Sequence, residues 1–257
     1  MTAPSATAQS RVAVVTGGAS GIGPAIGRYL SRAGHPVALL DRQGQLAHRE
    51  AQNLRANGAR VVAVEVDVTD RDAVHAAMEN VRAELGPISI IVTSAGIDVG
   101  VPVPVTNITA QQWDHLIAVN LTGTFNCIQA VVPDMQSRGW GRIVTISSSS
   151  AQSGAPERAH YVASKGGVIA LTKALSYELS PQGITANTIP PSIVDTPMAQ
   201  AGVAAGTVPS LDILATMVPV RRNGTPDDIA ATTAFLCSDD AGFITGQVIG
   251  VNGGMYI

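Results

Sequence analysis

The chain has 257 residues, 46% hydrophobic and 14% charged, with a formal net charge of -3. That balance describes a well-buried globular protein, excludes a disordered one, and offers no basic run for nucleic acid. Cys127 and Cys237 stand far apart with no Cys-x-x-Cys, which argues against a disulfide framework and a cysteine zinc site, so no metal is expected.

Residues 1–10 are rich in Ala, Ser and Thr and lack the apolar stretch of a signal peptide, so they are expected to form a flexible tail. No run approaches the ~18 apolar residues of a membrane helix. A cytoplasmic protein without a membrane partner is therefore expected. Residues 11–16 form an apolar strand that runs into Gly17-Gly18-Ala19-Ser20-Gly21-Ile22-Gly23. A helix over 24–33 follows, with Pro24 tolerated in its first turn. A second strand, 37–40, ends at Asp41. Strand, glycine turn, helix and strand make a parallel βαβ unit.

The alternation continues with a helix over 45–57 and a strand over 61–66 ending at Asp67. A helix capped by Asp70 runs to Leu85, and a strand covers 88–93 before Ser94-Ala95-Gly96. Residues 97–109 read as loop. Thr109 caps a long helix to about Gln136, kinked near its end by Pro133. Strand 143–146, a helix from Tyr161 to Leu179, strand 184–189, helix 226–237 and strand 247–251 complete the chain. Seven strands alternating with helices predict one doubly wound, Rossmann-like α/β domain over 11–257, its parallel sheet covered on both faces. The stretch 197–225 reads as an irregular lid.

Three groups carry chemistry. Glycines at 17, 21 and 23 allow close approach of a pyrophosphate to a helix N-terminus. Asp41, 18 residues past Gly23, is placed to accept both ribose hydroxyls of NAD and to repel the 2′-phosphate of NADP. Arg42 beside it favours the opposite choice, and Asp67 falls where adenine would lie. Tyr161 and Lys165, four apart, share a helix face, and Ser148 precedes Tyr161 by 13 residues at the end of a strand. A lysine beside a tyrosine pulls the phenol toward neutrality and makes it a usable acid/base. A serine hydroxyl bonds a developing alkoxide. The bland alternative is a helix start with a buried tyrosine and a solvated lysine. Asn120 is an unfavourable mid-helix residue with either a solvent face or a buried task. Trp113 reads as packing, His115 as surface, and His160 as a surface or pocket-rim residue.

Together these motifs resemble the short-chain dehydrogenase/reductase family from Arg11 to Tyr256. Thr16-Gly-x-x-x-Gly21-x-Gly23, Asn120, and Ser148 with Tyr161 and Lys165 match its motifs in order. So do the segments 218–230, Gly246-Gln247 and Asn252-Gly253-Gly254. The resemblance implies that Tyr161 exchanges the proton. Lys165 binds the nicotinamide ribose and lowers the Tyr161 pKa, Ser148 orients the substrate oxygen, and Asn120 holds a water that links Lys165 to solvent. It also implies a cofactor site of Gly17, Ser20, Gly21, Ile22, Gly23, Asp41, Arg42, Asp67, Val68, Ser94, Ala95, Gly96, Pro191, Val194 and Thr196, together with Tyr161 and Lys165. Two positions depart from the family: Ser94 stands for its Asn, expected to weaken the tie between the fourth and fifth strands. Ser192 stands for its Gly, expected to alter the nicotinamide-side loop.

The expected activity is NAD-dependent interconversion of a secondary alcohol and a ketone. The expected substrate is a small apolar alcohol or ketone, such as a hydroxysteroid or a cyclic or aryl alcohol. The pocket is expected to be lined by Met198, Val203, Val208, Leu211, Ile213, Leu214 and Met217. One alternative is an NADPH-dependent 3-oxoacyl thioester reductase. Another is an NAD-sensing regulator without turnover, which would not need Ser148, Tyr161 and Lys165. Small residues along the Tyr161 helix, with the family's habit of pairing helices, predict a homotetramer.

Overall fold

Strand and helix alternate in the order that the hydrophobic pattern predicts. The computed structural model describes residues 10–98 and 101–257; residues 1–9 of the expected tail lie outside that range. The first half runs β1 (Val12–Thr16), α1 (Ile22–Arg32), β2 (Val37–Asp41), α2 (Gly44–Ala56), β3 (Val61–Glu65), α3 (Arg71–Leu85) and β4 (Ile88–Thr93). Next, α4 (Ala110–Ile117) passes through a π-turn, Ala118–Thr122, into α5 (Gly123–Arg138). The second half runs β5 (Gly141–Ile146), α6 (Ser150–Ser153), α7 (Ala159–Leu179), β6 (Ile184–Ile189), α8 (Pro197–Ala204), α9 (Leu211–Met217) and α10 (Pro226–Leu236).

The strands form one parallel sheet in the order β3-β2-β1-β4-β5-β6. It has six strands where seven were expected. Residues 247–251 make only a bridge, between Thr188 and Val248. Thr188 donates to the Gln247 carbonyl and Ile249 to that of Thr188. Asn252 then closes a local turn by accepting from the Gly254 amide at 3.0 Å, and the ladder stops.

Successive side chains of a strand point to opposite faces. Val12 and Val14 accordingly enter a core with Val74, Val81, Ile128 and Met135 from α3 and α5. Ala13 and Val15 enter another with Ile26, Leu30, Ile229 and Leu236 from α1 and α10. Cys127 and Cys237 sit in these two cores, and burial pushes both thiols up to about 12, so both stay inert. Against the sequence expectation, the stretch Ala110–Arg138 is long and apolar enough to cross a membrane by length and composition. Its apolar residues Cys127, Ile128, Val131 and Met135 are packed onto the sheet, as in a core helix.

The caps follow local chemistry. Asp70 accepts from the Ala73 amide at 3.0 Å, and Thr109 with Gln112 forms a capping box. Trp113, expected to pack, is 42% exposed, because Leu116 is the one residue of α4 that is buried. The segment 197–225 is less irregular than expected. Thr196 and Ser210 cap α8 and α9, with Pro197 in the first turn of α8.

Candidate active site

Strand order reverses between β1 and β4, and at their carboxyl ends this opens the crevice where ligands of such sheets bind. Here the cleft measures about 880 Å³. Its floor is the glycine turn. Gly17 has φ 71° and lies against the β4 loop, so that a Cβ there would fall 2.8 Å from the Ala95 nitrogen. A Cβ on Gly23 would fall 2.0 Å from the Gly17 carbonyl oxygen. No side chain is tolerated at either position. Across the cleft, Thr196 faces Gly21 and brings the start of α8 over the turn.

Asp41 is pinned at the end of β2. Its carboxylate accepts from the Ala19 amide at 3.0 Å and the Gln43 amide at 2.9 Å. Each oxygen keeps a lone pair for a ribose hydroxyl. Asp67 accepts from the amide and hydroxyl of Thr69, which hold its carboxyl below the usual range; the nearby Arg42 charge adds to this. The Arg42 field is thus felt at Asp67. Val68 is buried in the wall, its carbonyl already taken by Asn126 at 3.0 Å. Ser20, Ile22, Ser94, Ala95, Gly96, Pro191 and Val194 also line the cleft. This cradle, with glycines where a Cβ would collide and a carboxylate at the second strand end, fits a nicotinamide dinucleotide.

The departures from the family pattern leave the scaffold intact. Pairing of β4 with β5 holds through Thr93 and Thr145, and the Ala95 amide is tied to the Thr16 hydroxyl at 3.1 Å. Ser192 is not among the residues with positive φ, and its hydroxyl donates to the Asn252 carbonyl at 2.8 Å.

At the other end of the cleft stand Ser148, Tyr161 and Lys165. Lys165 is 6% exposed and not solvated; its Nζ donates to the Ile146 carbonyl at 3.0 Å. Burial lowers its pKa to about 8, with Asp98 opposing. The phenol differs from expectation. Burial raises the Tyr161 pKa, while a hydrogen bond with the Ser148 side chain pulls the other way. The enclosed pair therefore favours a protonated phenol, a proton donor, over the tyrosinate expected from the lysine alone.

Asn120 lies in the π-turn, a feature that recurs at functional sites. Its Oδ1 accepts from the Ile97 amide at 2.8 Å. Its Nδ2 donates to the Ile97 carbonyl and the Ser164 hydroxyl, both at 3.0 Å. Both donors are committed to protein, so Asn120 clamps the β4 loop beside Lys165. A single Oδ1 lone pair is left for the expected water.

Other positions correct the reading. His160 is fully buried, and neither ring nitrogen has a partner among the described residues. His115 is exposed at the rim of the cleft. Of the expected lid residues, Met198, Val208 and Leu214 line the cleft, whereas Ile213 and Met217 are 55% and 58% exposed. Val203 and Leu211 also stay out of the lining. Asp98 and Arg158, ion-paired in the lining of the cleft, escaped the sequence reading. No local pattern marked them, because the ion pair joins residues 60 apart in the chain.

Residues 17–256 match a family model described as enoyl-(acyl carrier protein) reductase. A 3-oxoacyl-[acyl-carrier-protein] reductase FabG of Staphylococcus aureus (strain Mu50 / ATCC 700699) is 38% identical over 250 residues, 96% of this chain and 99% of the relative. The acetoacetyl-CoA reductase of Rhizobium meliloti (strain 1021) is 39% identical over 250 residues, with the same coverage of 96% and 99%. A solved structure described as gox2181 superposes with a TM-score of 0.90 at 34% identity, covering 96% of this chain and 95% of that one. Another, described as ElxO with NADP bound, has a TM-score of 0.88 at 28% identity, covering 96% and 99%.

Proposed function

The chain belongs to the short-chain dehydrogenase/reductase family, and on that premise we propose that it reduces the keto group of a 3-oxoacyl thioester, with NADH preferred. The observation that carries the reading is the single cleft joining the glycine turn to Ser148, Tyr161 and Lys165. The thioester is supported by the relatives, which are named as reductases of 3-oxoacyl carrier protein and acetoacetyl-CoA. The hydroxysteroid or aryl alcohol reading gives way to it, and a sensor without turnover would have no use for a buried acid/base set.

A reduced nicotinamide, when bound, supplies the hydride. Gly17, Gly21 and Thr196 would hold its pyrophosphate side, Asp41 the adenosine ribose, and Lys165 the nicotinamide ribose. Ser148 donates a hydrogen bond to the substrate carbonyl oxygen, and Tyr161 gives its proton to that oxygen as negative charge develops there. The lining residues Ile193, Met198, Val208 and Leu214 exclude water around the acyl chain.

Acetoacetyl-N-acetylcysteamine, a steroid ketone and an aryl ketone should be offered with NADH and with NADPH, following nicotinamide absorbance. The thioester should be turned over fastest. Faster reduction of the steroid or aryl ketone would return the assignment to an apolar alcohol dehydrogenase.

A homotetramer is part of the proposal. Ala163 and Ala170 on α7 are exposed, and a Cβ on Gly166 would meet nothing within 4 Å, so this small-residue face is open to a neighbouring helix. Gly167, by contrast, packs against Leu121 of the same chain. Light scattering at micromolar concentration should give four times the chain mass; a monomer mass would refute the assembly.

A further inference from the structure

Arg158 and Asp98 form an ion pair, Nη1 to Oδ2, in the wall of the cleft. Their side chains are 20% and 12% exposed. The same cleft is also lined by the apolar side chains of Ile97, Ile193, Met198, Val208 and Leu214. Removing charges from water is costly, and neither member of the pair is itself a member of the acid/base set. A second bond between the same loops, from the Val103 amide to the Glu157 carbonyl at 2.7 Å, already holds them together. Glu157 reaches it with φ 59°, an unfavourable angle for its type.

Two features give the pair a direction. Arg158 is the N-cap residue of α7, three residues before Tyr161, and both line the same cleft. The charges of both Arg158 and Asp98 act on Tyr161. Among the described residues, the Arg158 guanidinium has Asp98 as its one hydrogen-bond partner, made through Nη1, which leaves donors on Nε and Nη2.

Resting on the 3-oxoacyl reading, we propose that Arg158 is a specificity-determining residue that binds the second carbonyl oxygen of a neutral 1,3-dicarbonyl substrate. With the keto oxygen on Tyr161 and Ser148, the thioester oxygen lies one methylene farther along, toward the guanidinium. Asp98 sets the charge rule. It cancels most of the Arg158 charge and repels a carboxylate, so the pair accepts an uncharged thioester oxygen and rejects a free 3-oxo acid. Asp98 is thus a positioning residue that also carries the selection against anions.

The test compares acetoacetyl-N-acetylcysteamine, acetoacetate and 2-heptanone on wild type, Arg158→Gln and Asp98→Asn. Ratios of kcat/KM are taken within each variant, so any loss of folded protein cancels. Wild type should favour the thioester over acetoacetate by at least about tenfold. Arg158→Gln should cut the ratio of thioester to 2-heptanone about tenfold, and Asp98→Asn should raise the ratio of acetoacetate to thioester about tenfold. Unchanged ratios, with all three compounds affected equally, would overturn the subsite and leave a merely structural clasp. Calorimetric binding of the same compounds separates this from the reaction assignment. Binding that follows the predicted pattern without thioester turnover refutes the reaction and keeps the subsite. Turnover without the pattern does the reverse.

Discussion

Tyr161→Phe should lower kcat by at least about 10²-fold, the size of a lost general acid/base, while dinucleotide affinity changes little. The ring remains, so the packing of its half-buried face is kept; what goes is the single proton positioned beside Ser148 in the cleft that Lys165 also lines. Burial raises the phenol pKa, so the wild-type residue stays protonated through neutral pH, as the proposed reduction requires of its proton donor. The limiting ionisation then belongs to Lys165, lowered to about 8. Lysine is charged below its pKa and neutral above it, so kcat/KM for reduction should hold below about pH 8 and fall as pH rises through it. Stopped-flow and steady-state rates, with fluorescence titration of NADH, check both statements. A variant keeping more than about a tenth of wild-type turnover would remove Tyr161 from the proton transfer.

Asp41→Ala should largely erase a cofactor preference that in the wild type favours NADH by at least about tenfold. A carboxylate held by the Ala19 and Gln43 amides cannot swing away from the ribose. Two like charges near 4 Å cost about 1–4 kcal/mol, depending on the local dielectric, which is roughly one to three decades against a 2′-phosphate. Arg42 is the opposing group, but its field reaches Asp67 and its side chain is exposed. Ser20 adds no positive charge. The variant also loses two backbone hydrogen bonds, so kcat/KM for NADH and NADPH should be compared within each protein. Equal or better use of NADPH by the wild type would assign control of the pocket to Arg42.

What the sequence determined by itself is local. Apolar strands of five or six residues, the glycine turn before Ile22, the Asp70 and Thr109 caps, and Leu179 as the last residue of the Tyr161 helix all follow from neighbours within a turn or two. The same holds for the spacing of Ser148, Tyr161 and Lys165, and for the strand ends that place Asp41 and Asp67 beside one cleft. Tertiary structure decided the rest, because it depends on segments distant in the chain. Residues 247–251 have a strand's composition, yet pairing must be completed by β6, and Asn252 ends it after one bridge. The π-turn became visible only once Asn120 met Ile97 and Ser164, 23 and 44 residues away. From the sequence His160 reads as a surface or pocket-rim residue and Lys165 as a partner of Tyr161 and the cofactor; the packed sheet and helices bury both. That burial, more than any neighbouring charge, sets the protonation of the Tyr161 and Lys165 pair. Arg158 meets Asp98 across 60 residues, and only the closed fold brings those two charges together in the wall of the cleft that Tyr161 also lines.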